Sequence, residues 1–258
     1  MRTLNLSILT AALAGSFAYA QSVPDFAGVY YPLSPFGRVG APGGAPQDFA
    51  AKKGPPAKPT ASAPLSDGSR GRSPDAPSLT PEYTAKWQMI SKSRVAGSYE
   101  FDYAAKCLPP GMPGMMSMAY GMEVMQSKDK ITFFSEDLDA MRRVYLDGRK
   151  PSAKVMDDPT YAGYSTGHWE GDTLVVDTVA LNTMSFIEGF SPHSDQMTVK
   201  ERLRLTEPDL LEDRITVTDP VALTKPWETV KRYRKAQPKG GKDELREFAC
   251  PEGLGEAK

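Results

Sequence analysis

From Met122 onward, apolar and polar residues alternate with a period of two, which is typical of half-buried β-strands. Short turn sequences such as Lys128-Asp129, Asp147-Gly148 and Gly171-Asp172 separate the alternating stretches. Strands joined by tight turns pair antiparallel, and nine of them in one sheet tend to curl and close. The pattern predicts a mainly β fold, an antiparallel up-and-down meander that closes into a lipocalin-like barrel or a strongly curved sheet. The predicted strands are Met122 to Ser127, Lys130 to Ser135, Met141 to Leu146, Thr166 to Glu170, Thr173 to Ala180, Met197 to Leu205, Leu210 to Thr218, Glu228 to Arg234 and Glu244 to Cys250.

The first third of the chain has a different pattern. Residues 32–77 hold ten Pro and seven Gly in 46 positions, so residues 32–78 are predicted to be a loop or linker that cannot bury enough apolar surface to order itself. Before it, Gly28 to Tyr31 is predicted as a strand within a segment spanning 21–31. After it, one short helix is predicted from Pro81 to about Lys92, because Thr80 suits the N-cap and proline suits the first helical position. Residues 79–250 then form the barrel domain, and 251–258 a flexible tail.

The N-terminus has the pattern of a secretory signal peptide. Arg2 precedes an apolar stretch from Leu4 to Phe17, and Ala18-Tyr19-Ala20 fits the small-x-small rule for cleavage. We therefore expect residues 1–20 to be removed near Ala20 and the mature chain to be periplasmic or secreted. No later stretch has the roughly 20 apolar residues that a membrane-spanning helix needs.

The chain has two cysteines, Cys107 and Cys250. In an oxidising compartment these two residues are expected to form a disulfide that closes a long loop. Two free buried thiols are the alternative.

Three ionisable side chains fall on the apolar face of predicted strands. Glu201 alternates with Val199 and Leu203, and Arg142 shares a face with Val144. Asp213 is likewise in register with apolar neighbours on its strand. A lone charge inside a barrel costs several kcal/mol unless it is paired, so Arg142 is predicted to pair with Glu201 or Asp213. These groups could form an internal ion pair or charged groups in a ligand cavity.

The chain also has two histidines, His168 and His193, and both are placed near strand ends or in loops. Each could make surface hydrogen bonds, or could act as a general acid or base or contact a ligand. His193 lies within Ser191-Pro192-His193-Ser194-Asp195, which contains the residue types of a hydrolase triad. Contiguous residues in an extended segment point in different directions, so this run is not expected to form the triad itself.

Six methionines fall within fourteen residues, at positions 112, 115, 116, 118, 122 and 125. Thioethers are soft ligands, and a cluster in an exported protein could bind Cu(I) between Met112 and Met125. Methionine also fills irregular apolar space, and the neighbours here are Pro, Gly, Tyr and Ala. Packing or ligand contact by Met115 and Met116 is therefore the main expectation, and copper binding is an alternative.

Overall charge and composition exclude several classes of protein. With 31 basic and 32 acidic residues, there is no global field for a nucleic-acid backbone. Two histidines and two cysteines are too few for multi-cysteine zinc sites or iron–sulfur clusters. No cofactor or protein-bound metal is expected, and the expected partner is a small molecule.

The run from Gly167 to Thr178 resembles the G-R-W-E-G-D-T-L-V-V-D-T signature of a large family of exported, mostly uncharacterised bacterial proteins. Further matches in the same order include Cys107-Leu108-Pro109-Pro110-Gly111 and Glu247-Phe248-Ala249-Cys250. The chain departs from the family at Gly163-Tyr164-Ser165, where the family has G-H-S, and at His168, where the family has arginine. Tyr164 could replace the missing histidine as a donor or acceptor. Gly28-Val29-Tyr30 is weakly similar to the opening strand of lipocalin-like barrels. The resemblance implies export and a β-rich fold without naming a reaction.

Two classes of function follow. The first is an exported barrel that binds a small amphipathic or aromatic molecule in a cavity. The second is a cofactor-free lyase, isomerase or hydrolase in which His193 or Glu201 moves a proton while Arg142 or Tyr164 stabilises an oxyanion. The residues expected to line the ligand are Trp169, Tyr145, His168, Asp213, Met115 and Met116.

Overall fold

Nine β-strands follow one another around a closed barrel in chain order. The computed structural model describes residues 23–33, 75–117, 120–188, 190–237 and 244–249. The predicted mainly β barrel is confirmed. The strands are β1 Gly28–Pro32, β2 Met122–Gln126, β3 Lys130–Ser135, β4 Met141–Tyr145, β5 Tyr164–Glu170, β6 Thr173–Val179, β7 Thr198–Glu207, β8 Leu210–Thr218 and β9 Trp227–Lys235. Two α-helices accompany them, α1 Pro81–Val95 and α2 Ala153–Asp157.

One strand pair departs from the predicted antiparallel meander. β4 and β5 run parallel and pair only at Val144 with Ser165 and at Tyr145 with Thr166. Parallel neighbours need a crossover between them, and residues 146–163, which include α2, carry the chain from one end of the barrel to the other. The prediction was wrong here because Asp147-Gly148 was interpreted as a hairpin turn. The resulting β4–β5 contact is the shortest seam in the barrel, because every other neighbouring pair has at least three residue pairs in register.

The predicted last strand is also wrong for the residues that can be described. Residues 244–249 have no strand structure. Instead, the segment crosses one end of the barrel, where the amide of Arg246 donates to Glu136 Oε1 at 2.7 Å. The edge of β9 that this strand would need is occupied by β1, which pairs with both β2 and β9. Closure through the short N-terminal strand leaves no free sheet edge.

Side chains alternate between the interior and the surface along each strand. In β7, Val199, Glu201 and Leu203 are buried, while Lys200 and Arg202 are exposed. Most other inward positions are apolar, as the period of two predicts. Its buried core includes Tyr30, Val124, Phe133, Val144, Leu174, Val176, Leu211, Ile215 and Tyr233.

The two ends of the barrel differ, and we name them for what closes them. At the hairpin end, tight turns join β2 to β3, β5 to β6 and β7 to β8, and the ring of Phe26 lies 5.2 Å from that of Trp169. At the loop end, the longer β6–β7 and β8–β9 connections bond to each other, and the β6–β7 connection bonds to the methionine segment, residues 112–117. Helix α1 joins this end through the bridge between Leu79 and Leu223 and the bond from the Thr80 amide to the Ala222 carbonyl. The irregular segments of the chain therefore lie at the loop end.

Several predicted segments lie outside the described residues. These are the signal peptide (1–20), most of the linker (34–74 within 32–78) and the tail (251–258). None of the helices in the described ranges is long and apolar enough to cross a membrane.

Candidate functional site

A buried ion pair lies inside the barrel near the loop end. Arg142 of β4 donates from Nη1 to Glu201 Oε1 at 2.7 Å, and a second short bond joins Nη2 to Oε2. Arg142 Nε donates to Ser165 Oγ, and Nη2 donates to Thr178 Oγ1, both at 3.0 Å. Arg142 is 1% exposed and Glu201 is 0% exposed. The pairing that the alternation predicted is present, and both oxygens of Glu201 accept from Arg142, so the carboxylate is held in an ion pair.

The guanidinium of Arg142 also connects strands that the backbone joins poorly. Its three partners are on β5, β6 and β7, so the side chain extends across the short parallel seam from the β4 side. Bidentate pairing with a carboxylate is the strong, directional mode of arginine. Because the seam has two register pairs, the side-chain network adds the cross-strand bonds that the backbone lacks.

Asp213 of β8 adds a second carboxyl group to the same interior. It is 0% exposed, and neither of its oxygens accepts a hydrogen bond from a described donor. Burial, next the negative charge of Glu201, and a side-chain hydrogen bond with Glu201 raise the pKa of Asp213 well above its usual value, while Arg142 and Lys231 oppose the shift. These surroundings favour the protonated carboxylic acid of Asp213, which donates to Glu201.

The methionine segment covers this polar cluster at the loop end. Met112, Met115 and Met116 are at most 5% exposed. The hydroxyl of Tyr233 donates to the main-chain carbonyl of Met116 and so fastens the segment to β9. Burial, followed by the charges of Asp213 and Glu201, raises the pKa of Tyr233 well above its usual value, so the phenol stays protonated. The cover is thus flexible thioether packing, and two further bonds fasten it, from the Met112 amide to the Tyr161 carbonyl and from Ser117 Oγ to Glu188 Oε2.

A second polar group at the loop end joins His193 to Ser185. His193 Nδ1 is 2.8 Å from the carbonyl oxygen of Ser194, which assigns the proton to Nδ1. His193 Nε2 then accepts from Ser185 Oγ at 3.0 Å. Burial lowers the pKa of His193, so the ring is neutral at pH 7. A hydroxyl, a neutral imidazole and an orienting acceptor form the arrangement that activates a serine nucleophile.

Asp219 holds this arrangement from the β8–β9 connection. Its carboxylate accepts from the Ser194 amide and from Ser194 Oγ, each at 2.7 Å. The amides of Val221 and Ala222 also donate to it, at 3.0 and 2.8 Å. Burial raises the pKa of Asp219, but the hydrogen bonds from Ala222 and Ser194 outweigh burial and lower it overall. The charged carboxylate therefore bonds to two loops, the β6–β7 loop that carries His193 and the β8–β9 loop in which Ala222 bonds to the start of α1.

A pocket of about 170 Å³ opens beside Ser185. Gly111 lies between the pocket and Ser185. Its φ is +68°, and a Cβ added at this position would lie 2.9 Å from Ser185 Oγ. Two other lining residues, Leu138 and Asp139, also have positive φ, of 56° and 48°. Positive φ at non-glycine residues stores strain and clusters at functional sites. The pocket is lined by Pro109, Gly111, Met115, Leu138, Asp139, Ala140, Met141, Tyr161 and Ala162.

The structure does not bring the other predicted site residues together. Tyr164 and Tyr145 face outward, with ring centroids 5.3 Å apart, so Tyr164 does not join Arg142 inside. His168 is an exposed residue beside Glu170 on the outer face of β5. Trp169 faces inward at the hairpin end, far along the strand from the methionine segment. A wall combining His193, Tyr164, Arg142 and Glu201 is therefore not formed.

The remaining predictions concern the cysteines and the methionines. Cys107 is disulfide-bonded, whereas Cys250 lies outside the described residues, so their pairing stays a prediction. Met122 is buried, Met125 is exposed on the outer face of β2, and Met118 lies outside the described residues. The buried methionines belong to the apolar core, which favours packing over copper binding.

Sequence reasoning missed Ser185, Asp219 and the Ser165–Thr178 pair. Ser165 Oγ and Thr178 Oγ1 lie 2.8 Å apart, and both accept from Arg142. Both hydroxyls are on inward positions of strands, so the alternation that located Arg142 could also have located them. Ser185 and Asp219 lie in irregular loops, where no periodicity indicates which side chains meet.

Comparisons with known proteins give no family for this chain. No protein-family model matches it, and no curated protein matches it. Among solved structures, the wild-type fluorescent protein UnaG is 17% identical, with a TM-score of 0.27, over 45% of this chain and 72% of that chain. An asparagine-to-alanine variant of UnaG is 16% identical, with a TM-score of 0.30, over 54% of this chain and 88% of that chain. The barrel assignment rests on the strand pairing of this chain itself.

Proposed function

We propose that this protein binds a small amphipathic or aromatic molecule inside its barrel, and that the molecule enters from the loop end. Asp213 is the observation that carries the proposal, because it is wholly buried, points into the barrel and has no described hydrogen-bond donor on either oxygen. Its hydrogen bond with Glu201 uses the acid proton and leaves the carboxyl oxygens without a described donor, which destabilises the fold. A few polar groups in an otherwise apolar interior are what orient a bound ligand.

The surroundings of Asp213 support entry from the loop end. At the hairpin end, the interior is closed by the rings of Phe26 and Trp169 and by tight turns. At the loop end, the cover consists of methionine side chains, which have three rotatable bonds and can repack around a guest. The 170 Å³ pocket beside Met115 lies at this same end. A ligand that displaces the methionine side chains would place its polar group at Asp213.

The neutral, polarity-sensitive dye Nile red tests this proposal. We expect it to bind with a blue-shifted emission, and a Leu211→Phe substitution to weaken its binding by about tenfold, because extra volume next to Asp213 fills the interior. Arg214→Phe is the matched control, since Arg214 faces outward on the same strand. Fluorescence titration of the two variants, with circular dichroism to verify folding, gives the comparison. Equal dye affinity in both variants would place the site outside the barrel.

We also propose that this binding takes place outside the cytoplasm. The support is the N-terminal pattern of Arg2, the apolar stretch and Ala18-Tyr19-Ala20. The same compartment suits a Cys107–Cys250 disulfide.

A second candidate function is a cofactor-free hydrolase, which the Ser185–His193 pair favours. In this reaction, Ser185 Oγ attacks an ester carbonyl while its proton moves to His193 Nε2. The imidazolium then protonates the leaving alcohol, and water, deprotonated by His193, releases the acid and restores Ser185. The pocket beside Gly111 has room for a short acyl group. The expected enzyme moved a proton with His193 or Glu201; here His193 keeps that role, Glu201 is held by Arg142, and Ser185 is the nucleophile.

A small fluorophosphonate probe separates this function from a structural hydrogen bond. If Ser185 is a nucleophile, the wild-type protein should gain one phosphonyl group, located at Ser185 by mass spectrometry. His193→Gln should slow the labelling by about a hundredfold or more, in the range of lost general-base catalysis. Ser127→Ala, in an exposed turn, is the control and should label normally. A folded wild-type protein that stays unlabelled would mean that the pair serves packing alone.

A further inference from the structure

We propose that the molecule bound in the barrel is a small organic cation, an ammonium group on an apolar body, and that the carboxylate of Asp213 is its counter-ion. This inference rests on the proposed binding function and adds the chemical class of the ligand.

The positive charge nearest to the two carboxyl groups is already committed. Four of the five donors of Arg142 bond to Glu201, Ser165 and Thr178. Arg142 and Glu201 therefore form a neutral unit that has little left to offer Asp213. On its own strand, Asp213 has Leu211 and Ile215 as its inward neighbours, and neither carries a charge.

Lys231 of β9 is the other cation that faces Asp213. The two residues are direct cross-strand partners, yet Lys231 Nζ bonds to Glu188 Oε2 at 3.0 Å. The same Glu188 oxygen accepts from Ser117 Oγ of the methionine segment, also at 3.0 Å. Lys231 is thus part of a rim that joins the β6–β7 loop to the cover, and its charge is balanced there.

This distribution leaves the interior one positive charge short. Around Asp213, β4 contributes Arg142 and β7 contributes Glu201. β9 contributes Lys231, whose charge is balanced by Glu188, and the neutral phenol of Tyr233. Burial and the charge of Glu201 favour a proton on Asp213 in place of that positive charge. A cation can displace that proton and make an ion pair, whereas an anion would meet the charge of Glu201 and a guanidinium with four of its five donors already bonded. In the binding step, the Asp213 carboxyl group releases one proton to solvent, and the resulting carboxylate forms an ion pair with the ammonium ion.

Three probes with one body test the inference: 3-phenylpropylamine, 3-phenylpropanol and 3-phenylpropionate. Calorimetric titration in two buffers with different ionisation enthalpies measures both affinity and proton release. We expect the amine to bind at least tenfold more tightly than the alcohol, the carboxylate to bind most weakly, and about one proton to be released with the amine. Between pH 6 and 8 the amine affinity should rise by up to tenfold per pH unit while the alcohol affinity stays constant.

Two variants identify the carboxyl group responsible. Asp213→Asn should remove both the preference for the amine and the proton release, while the alcohol still binds. Asp177→Asn is the matched control, because Asp177 is an exposed aspartate paired with Lys200 at 2.6 Å, and it should leave both properties unchanged.

The outcomes separate this inference from the function on which it rests. Alcohol and amine binding of equal strength, with no proton released, would mean that Lys231 already neutralises Asp213, and would overturn the cation assignment while leaving a binding barrel. Failure of all three probes and of Nile red would overturn the binding function as well.

Discussion

Replacing Arg142 with Met is expected to lower the free energy of unfolding by about 3–5 kcal/mol, the cost of leaving the buried Glu201 without its partner. Arg142 also bonds to strands β5, β6 and β7, so the substitution removes the side-chain links across the short parallel seam. Urea denaturation followed by circular dichroism measures the change. Arg143→Met is the matched control, because Arg143 is the next residue along β4 and is exposed, and it should change stability by about 0.5 kcal/mol or less.

A double variant separates the charge effect from the seam effect. Arg142→Met combined with Glu201→Met removes both charges, and apolar replacement of a buried pair is often neutral in stability. We expect the double variant to regain most of the lost free energy. The amides of Val144 and Thr166 should still exchange faster with solvent than in the wild type, since their strands keep only two register pairs. If the double variant is as protected as the wild type there, Arg142 has no role in closing the seam.

Alternation predicted the barrel because it is a local property that burial enforces at every second residue. It located Arg142, Glu201 and Asp213 on the inner face before any contact was known, since one face of each strand had to be apolar and these residues broke the rule. The sequence left two possible partners for Arg142, Glu201 and Asp213. Alternation assigns each residue to one face of its strand, but it does not show which residues of neighbouring strands lie side by side. The Arg142–Glu201 bond depends on that alignment across three strand pairings, from β4 to β7.

The errors occurred where distant parts of the chain decide the outcome. Glu244 to Cys250 has a strand-like pattern, but the edge of β9 that it needed is occupied by β1, more than 190 residues earlier in the sequence. Asp147-Gly148 is a good turn sequence, yet the chain crosses to the other end of the barrel and β5 enters parallel. Ser185 meets His193 through two irregular loops whose shape depends on Asp219. Periodicity carries no information about such contacts.

Replacing Asp213 with Leu is expected to raise the free energy of unfolding by about 1–3 kcal/mol at pH 7, since it removes a buried carboxyl group that has no described donor. The site faces Leu203 across the sheet and has Leu211 and Ile215 beside it on β8, so an apolar side chain suits it. Most substitutions at buried positions destabilise a protein. A variant that is more stable but binds its ligand more weakly indicates that the residue serves function and not folding. Thermal or urea denaturation measures the stability, and Nile red titration measures the binding.

The same substitution should change how stability depends on pH, and the sign follows from the raised pKa of Asp213. The folded protein keeps its proton when the unfolded chain has lost it, so the stabilisation by that proton is complete below the ordinary pKa of 3.8 and is lost as the pH rises towards the folded pKa. The free energy of unfolding should therefore fall by up to about 1.4 kcal/mol per pH unit in the wild type. Burial raises the pKa of Asp137 to about 6, which adds a decline of the same sign between about pH 4 and pH 6. The lowered pKa of His193 acts in the opposite direction below pH 6.5.

Comparing wild type with Asp213→Leu between pH 6.5 and 8.5 isolates Asp213, because the contributions of Asp137 and His193 are common to both proteins. The gain from the substitution should increase with pH across this window. Asp177→Leu on the outer face should show no such trend, since Asp177 is half exposed and pairs with Lys200 in solvent. A loss of stability in Asp213→Leu at every pH would mean that Lys231, its direct neighbour on β9, leaves Glu188 in solution and holds an ionised Asp213. In that case Lys231 is the counter-ion of Asp213, and the barrel has no unpaired carboxylate for a bound cation.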